Sequence, residues 1–110
     1  MSASERGRNP VLEHAFVYVR QNDAAAFEQA FAQAKAVIAT CPGFRWLELH
    51  RGVERPEVYL LLVAWETLED HLVGFRGSDR FIRWRELIGP YFASAPDVEH
   101  VHPVVGRFTG

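Results

Sequence analysis

The stretch Val58-Tyr-Leu-Leu-Leu-Val-Ala-Trp65 decides the fold, because every residue in it is apolar or aromatic. A strand with two apolar faces has to be covered on both of them. Downstream lie Glu66-Thr67 and a broken amphipathic helix carrying Phe75, Ser78, Phe81, Trp84 and Ile88. Gly89-Pro90 then precedes a second strand, Val98-Glu-His-Val-His-Pro-Val104. A chain of 110 residues with three helical pieces can cover one face of a sheet. The other face is expected to meet a second copy of the protein.

Upstream, residues 12–20 alternate, with Ala15, Val17 and Val19 on one side and His14, Phe16 and Tyr18 on the other, which reads as a strand. Asn22-Asp23 is placed to cap a helix in which Phe27, Phe31, Ala34, Val37 and Ile38 recur at helical spacing, and Cys41-Pro42-Gly43 stops it. Residues 44–51 alternate again, with Leu47 and Leu49 opposite Trp46, Glu48 and His50. The turn over residues 52–56 joins this strand to the Val58 strand as a hairpin. Thr67 with Asp70 three residues later resembles a capping box, opening a helix whose apolar side is Leu68, Leu72 and Phe75. Gly74 or Gly77 ends that piece, and Ser78-Asp79 starts another with Phe81, Trp84 and Ile88 inward.

The order is β-α-β-β-α-β with a split second helix, an α+β ferredoxin-like subunit with a four-stranded antiparallel sheet. Helices should lie on the face of Ala15, Val17, Leu47 and Leu49. Phe16, Tyr18 and Trp46 are too aromatic to be left in water, and pairing these faces between two subunits gives a dimeric α/β barrel. Residues 1–10 are polar and lack an apolar signal segment, so they read as a disordered lead before one domain spanning 11–110, and the protein as cytoplasmic.

Composition excludes several classes. Nearly half the residues are apolar, so the chain is not a disordered polymer, and no apolar run approaches the roughly 20 residues of a membrane helix. The twelve basic residues are scattered and outweighed by fourteen acidic ones, which argues against nucleic acid as a partner. Cys41 stands alone, so no disulfide framework exists, and a structural thiol is expected.

The segment Leu62-Val-Ala-Trp-Glu-Thr-Leu-Glu-Asp-His71-Leu72, then Phe75-Arg76, Ser78, Phe81 and Trp84-Arg85, then Pro96, Val98, Glu99 and His100, resembles the antibiotic biosynthesis monooxygenase domain family. The element order extends that resemblance from about Leu12 onward. It implies a homodimeric α/β barrel. Some members oxidise aromatic polyketides or quinols with molecular oxygen and no metal or flavin, some degrade haem, and some handle small signalling molecules. Haem-degrading members use an Asn on the first strand, a Trp in the first part of the split helix and a haem-ligating His in the second. Aligned on Ser78-Asp79, the last two positions hold Phe75 and Arg85, and the first strand has no Asn. Haem is therefore not expected to be the substrate.

Beside this stands a reading of the residues themselves. His71, on the apolar side of its helix, could act as a base titrating near neutrality. Trp84 and Tyr91 are candidate catalytic donors to a developing anion. Tyr59, Trp65, Phe75, Phe81 and Arg85 are candidate substrate-binding residues, aromatic ones for stacking and Arg85 for an anionic or enolate oxygen. Core packing alone also accounts for Trp65, Phe81 and Trp84, and a solvated helix face for Arg85. His100 and His102 share one face of the last strand and resemble half a metal site, with His14, Glu48 or His50 as third ligand. No short-spaced cluster supports a metal, and none is expected. The function expected is a cofactor-independent monooxygenase-like enzyme acting with O2 on a small aromatic, quinol or polyketide-type substrate. The alternative is a non-catalytic small-ligand-binding or stress-related dimer of the same fold.

Overall fold

Antiparallel pairing organises the chain, and the computed structural model describes residues 10–110. The elements are β1 (Val11–Tyr18), α1 (Ala24–Ile38), β2 (Phe44–Arg51), β3 (Val58–Trp65), a π-helix (Asp70–Phe75), α2 (Asp79–Ile88), a 3-10 turn (Gly89–Tyr91) and β4 (Asp97–Val101). The four strands form one sheet in the order β2-β3-β1-β4, with every neighbouring pair antiparallel. This is the expected ferredoxin-like arrangement, with the apolar β3 beside β1 at the centre. The lead expected over residues 1–10 lies outside the described residues apart from Pro10.

The face of Ala15, Val17, Leu61, Val63 and Trp65 is buried under Phe27, Phe31, Ala34 and Ile38 of α1 and Trp84 and Ile88 of α2. Rings fill the seam between the helices: Phe31 meets Trp84 at 5.6 Å and Phe75 meets Trp84 at 5.8 Å between centroids, both edge-on. The opposite sheet face keeps Phe16 and Trp46 more than a third exposed. Cys41 is buried, and burial pushes its thiol up, as fits a structural residue.

The turns are chemically explicit. Gly43 sits at φ 87°, and a Cβ there would fall 2.1 Å from Asp70 Oδ2. Asp70 is held in that position by a reciprocal capping box: its backbone N–H donates to Thr67 Oγ1, and Thr67 N–H donates to Asp70 Oδ2, both at 3.1 Å. Residues 70–75, beyond this cap, differ from the amphipathic α-helix that the spacing predicts. Their backbone winds as a π-helix, with the Arg76 N–H bonding five residues back to the His71 carbonyl. In that wider winding His71 and Phe75 lie together against the sheet, each 2% exposed, while Leu68 before it and Leu72 within it stay partly exposed.

Candidate functional site

A cavity of about 1010 Å³ lies between the sheet and the split helix. Ala15, Val17 and Leu61 form its floor on the sheet; His71 and Phe75 come from the π-helix; Phe81, Trp84 and Ile88 come from α2; Pro96 and Val98 close the β4 side. The exposed wall residues Ile82, Arg85, Ser94 and Ala95 mark its mouth. Arg85 lies over the Phe81 ring, 5.8 Å from its centroid, so its guanidinium is held at that rim.

The polar end of the cavity belongs to Glu13 and His71. Glu13 shares the inward row of β1 with Val11, Ala15 and Val17, because side chains two apart share a face. It is one of two buried polar side chains among the described residues, the other being His71. Trp65 Nε1–H donates to Glu13 Oε1 at 3.2 Å, and His71 Nε2 lies 3.2 Å from the same oxygen. The His71 ring stacks on Trp65, with centroids 5.3 Å apart and planes 12° from parallel. On its other side, His71 Nδ1 meets His100 Nε2 at 2.8 Å. The β1–β4 register pairs Glu13 directly with His100, which brings the third member into line.

Burial sets the electrostatics. It lifts the Glu13 carboxyl to about 7, against the Trp65 hydrogen bond and the Arg76 guanidinium, which favour the anion. Burial also pushes the His71 imidazole down to about 3, helped by Arg76 and then His100, so His71 is neutral at physiological pH. His100 is lowered for the same first reason, burial, with Arg76 second. The group poised to exchange a proton near neutrality is therefore Glu13, and His71 stands behind it.

The other sequence-predicted residues divide. His71, Phe75, Phe81, Trp84 and Arg85 are all wall residues of the cavity. Trp65 is wholly buried behind His71 and reaches the site through its bond to Glu13. Tyr91 is not a wall residue, although its neighbours Pro90 and Phe92 are. Tyr59 faces the far end of the sheet, where its hydroxyl donates to Glu28 Oε2 at 2.6 Å beside a separate cleft of about 300 Å³. The pairing of His100 with His14, Glu48 or His50 does not occur. His14 is on the opposite face of β1, and β2 is at the opposite sheet edge from β4. His102 Nδ1 instead meets the Pro10 carbonyl at 3.2 Å, and among the described residues no group of three His, Cys, Asp or Glu could hold a metal ion.

Glu13 is the residue that sequence reasoning missed. The signal was present: a lone carboxylate in an otherwise apolar row of a strand has to find donors inside the fold.

The sequence matches the family described as antibiotic biosynthesis monooxygenase over residues 10–87. YczJ of Bacillus subtilis (strain 168), an uncharacterized protein, is 39% identical over 94 residues, which is 86% of this chain and 99% of its own. A Bordetella bronchiseptica crystal structure classed with the antibiotic biosynthesis monooxygenases superposes with a TM-score of 0.86 at 38% identity, covering 88% of this chain and 99% of its own. One from Caulobacter crescentus CB15, classed likewise, gives 0.74 at 27% identity over 89% and 92%. No helix among the described residues is long and apolar enough to cross a membrane. By sequence and by fold, the chain belongs to the antibiotic biosynthesis monooxygenase family.

Proposed function

We propose that the chain is a monooxygenase that oxidises a small aromatic substrate of the quinol, anthrone or polyketide type with O2, the substrate itself supplying the electrons. The observation that carries this reading is a buried carboxyl, lifted to about 7, in the wall of a large and mainly apolar cavity. Glu13 Oε2, the oxygen that neither Trp65 nor His71 engages, is the base. It takes a proton from an activated methylene flanked by aromatic rings, leaving a delocalised carbanion. One electron passes to O2, and the radical pair combines to a peroxide anion on that carbon. Glu13 returns its proton to the peroxide. Loss of the second methylene proton with cleavage of the O–O bond then releases water and leaves a carbonyl. One atom of O2 ends in product and one in water, and no external reductant enters.

Within this scheme Phe75, Phe81 and Trp84 stack against the planar substrate. Arg85 at the mouth holds an enolate or phenolate oxygen. His71 and Trp65 hold the carboxylate in place, so the role of base that the sequence suggests for His71 passes to Glu13. Tyr91 and Tyr59 have no part in it. Haem is not expected as the substrate, because Arg85 offers no lone pair to iron and Phe75 supplies no indole at the aligned positions. The ligand-binding alternative shares the cavity but gives no reason for a carboxyl buried against Trp65 and His71.

The test is oxygen uptake with a panel of anthrones and quinols. Turnover should need no added metal or flavin, and the rate should rise with pH through about 7 as Glu13 ionises. Binding of the same compounds without any oxygen uptake would favour the ligand-binding alternative.

A further inference from the structure

We propose that Glu13, His71 and His100 form a proton relay that sets the ionisation of the cavity base from the β4 edge of the sheet, with His100 as its outer port. The contacts form an unbroken line: Glu13 Oε1 to His71 Nε2 at 3.2 Å, then His71 Nδ1 to His100 Nε2 at 2.8 Å. The line begins at a wall residue of the cavity and ends at a partly exposed residue that is not in the wall. β4 is an edge strand, so the line leads away from bound substrate. With substrate seated, a carboxyl 7% exposed has little other access to water.

Two hydrogen-bonding states satisfy every member. With Glu13 ionised, His71 Nε2–H donates to Oε1 and His100 Nε2–H donates to His71 Nδ1. With Glu13 protonated, its O–H donates to His71 Nε2, His71 Nδ1–H donates to His100 Nε2, and His100 carries its proton on Nδ1. Passing from the second state to the first moves one proton along each contact and releases one from His100 Nδ1 to water. The reverse passage loads one. Trp65 Nε1–H donates to Oε1 in both states, and Arg76 is the cation whose charge bears on all three groups. This relay rests on the catalytic reading above only in what Glu13 does with its charge.

The experiment is ¹⁵N NMR of the ligand-free full chain labelled at histidine, titrated from about pH 6 to about pH 9, a window in which a depressed His71 stays neutral. The relay predicts that His71 exchanges its Nδ1–H tautomer for the Nε2–H tautomer as pH rises. His100 should gain its Nε2 proton with the same midpoint, near 7, and Glu13→Gln should abolish both exchanges. A single His71 tautomer across the range would overturn the proposal, and so would an exchange at His71 with none at His100. An anthrone panel that gives no oxygen uptake, with the tautomer exchange intact, would remove the monooxygenase reading and leave the relay standing.

Discussion

Glu13 governs the chemistry at the scale of single residues. Its carboxyl is held above its ordinary 4.5, at about 7. The folded state therefore loses stability as pH rises between those values, because ionisation becomes costlier folded than unfolded. That span corresponds to roughly 3 kcal/mol for a group so buried. Glu13→Gln should accordingly gain on the parent by up to about 3 kcal/mol between about pH 5 and pH 8, read as a widening difference in denaturation midpoint. A constant difference would show that Glu13 is not so perturbed. His71 works in the opposite sense: its lowered value makes stability present above its ordinary 6.5 and lost as pH falls toward 3. In activity, His71→Ala should lower turnover by disordering Glu13, without removing the rise in rate through about pH 7. Loss of that rise would return the role of base to His71. The aromatic wall and His71 were legible in the sequence because they recur at helical spacing. Glu13 left a weaker signal, a lone acid in an apolar row of β1, which carries no periodicity and is outweighed by the rings that dominate the alternation.

Among the elements, the π-helix is the least legible in sequence and the most consequential. A 3.6-residue period over residues 67–75 predicts an apolar side of Leu68, Leu72 and Phe75, and the capping box at its start gives no sign of the wider winding beyond it. The five-residue backbone register carries His71 inward beside Phe75, where its ring stacks on Trp65. The hairpin, the capping box and the glycine stop after α1 were legible because turn chemistry is local. Two glycines separate their roles by experiment. Gly43→Ala should destabilise by about 1–3 kcal/mol, since it combines positive φ with a clash against Asp70, and it should also lower activity by displacing the π-helix. Gly74→Ala meets only the Glu69 carbonyl at 3.8 Å and should stabilise by about 0.5–1 kcal/mol. Equal effects in thermal denaturation would contradict this division.

For the whole molecule, the β2-β3-β1-β4 sheet leaves Phe16 and Trp46 on a face that no helix among the described residues covers. Tyr18 lies on the same face, its hydroxyl bonded to Asp97 Oδ2 at 2.5 Å. Leaving such a surface in water forgoes several kcal/mol, at about 25 cal/mol per Å² of apolar area. The chain is therefore expected to sediment at micromolar concentration as a dimer of its 12.5 kDa subunit. Phe16→Glu combined with Trp46→Glu should shift it toward the monomer, and a parent protein that sediments as a folded monomer would contradict the pairing. The most direct measurement of the chemistry is oxygen uptake by the parent protein and Glu13→Gln, side by side, on an anthrone that the parent oxidises. Loss of about 10²–10⁴-fold in kcat, with binding retained and the pH dependence near 7 abolished, is the predicted result. An unchanged kcat in Glu13→Gln would contradict the assignment of the cavity base.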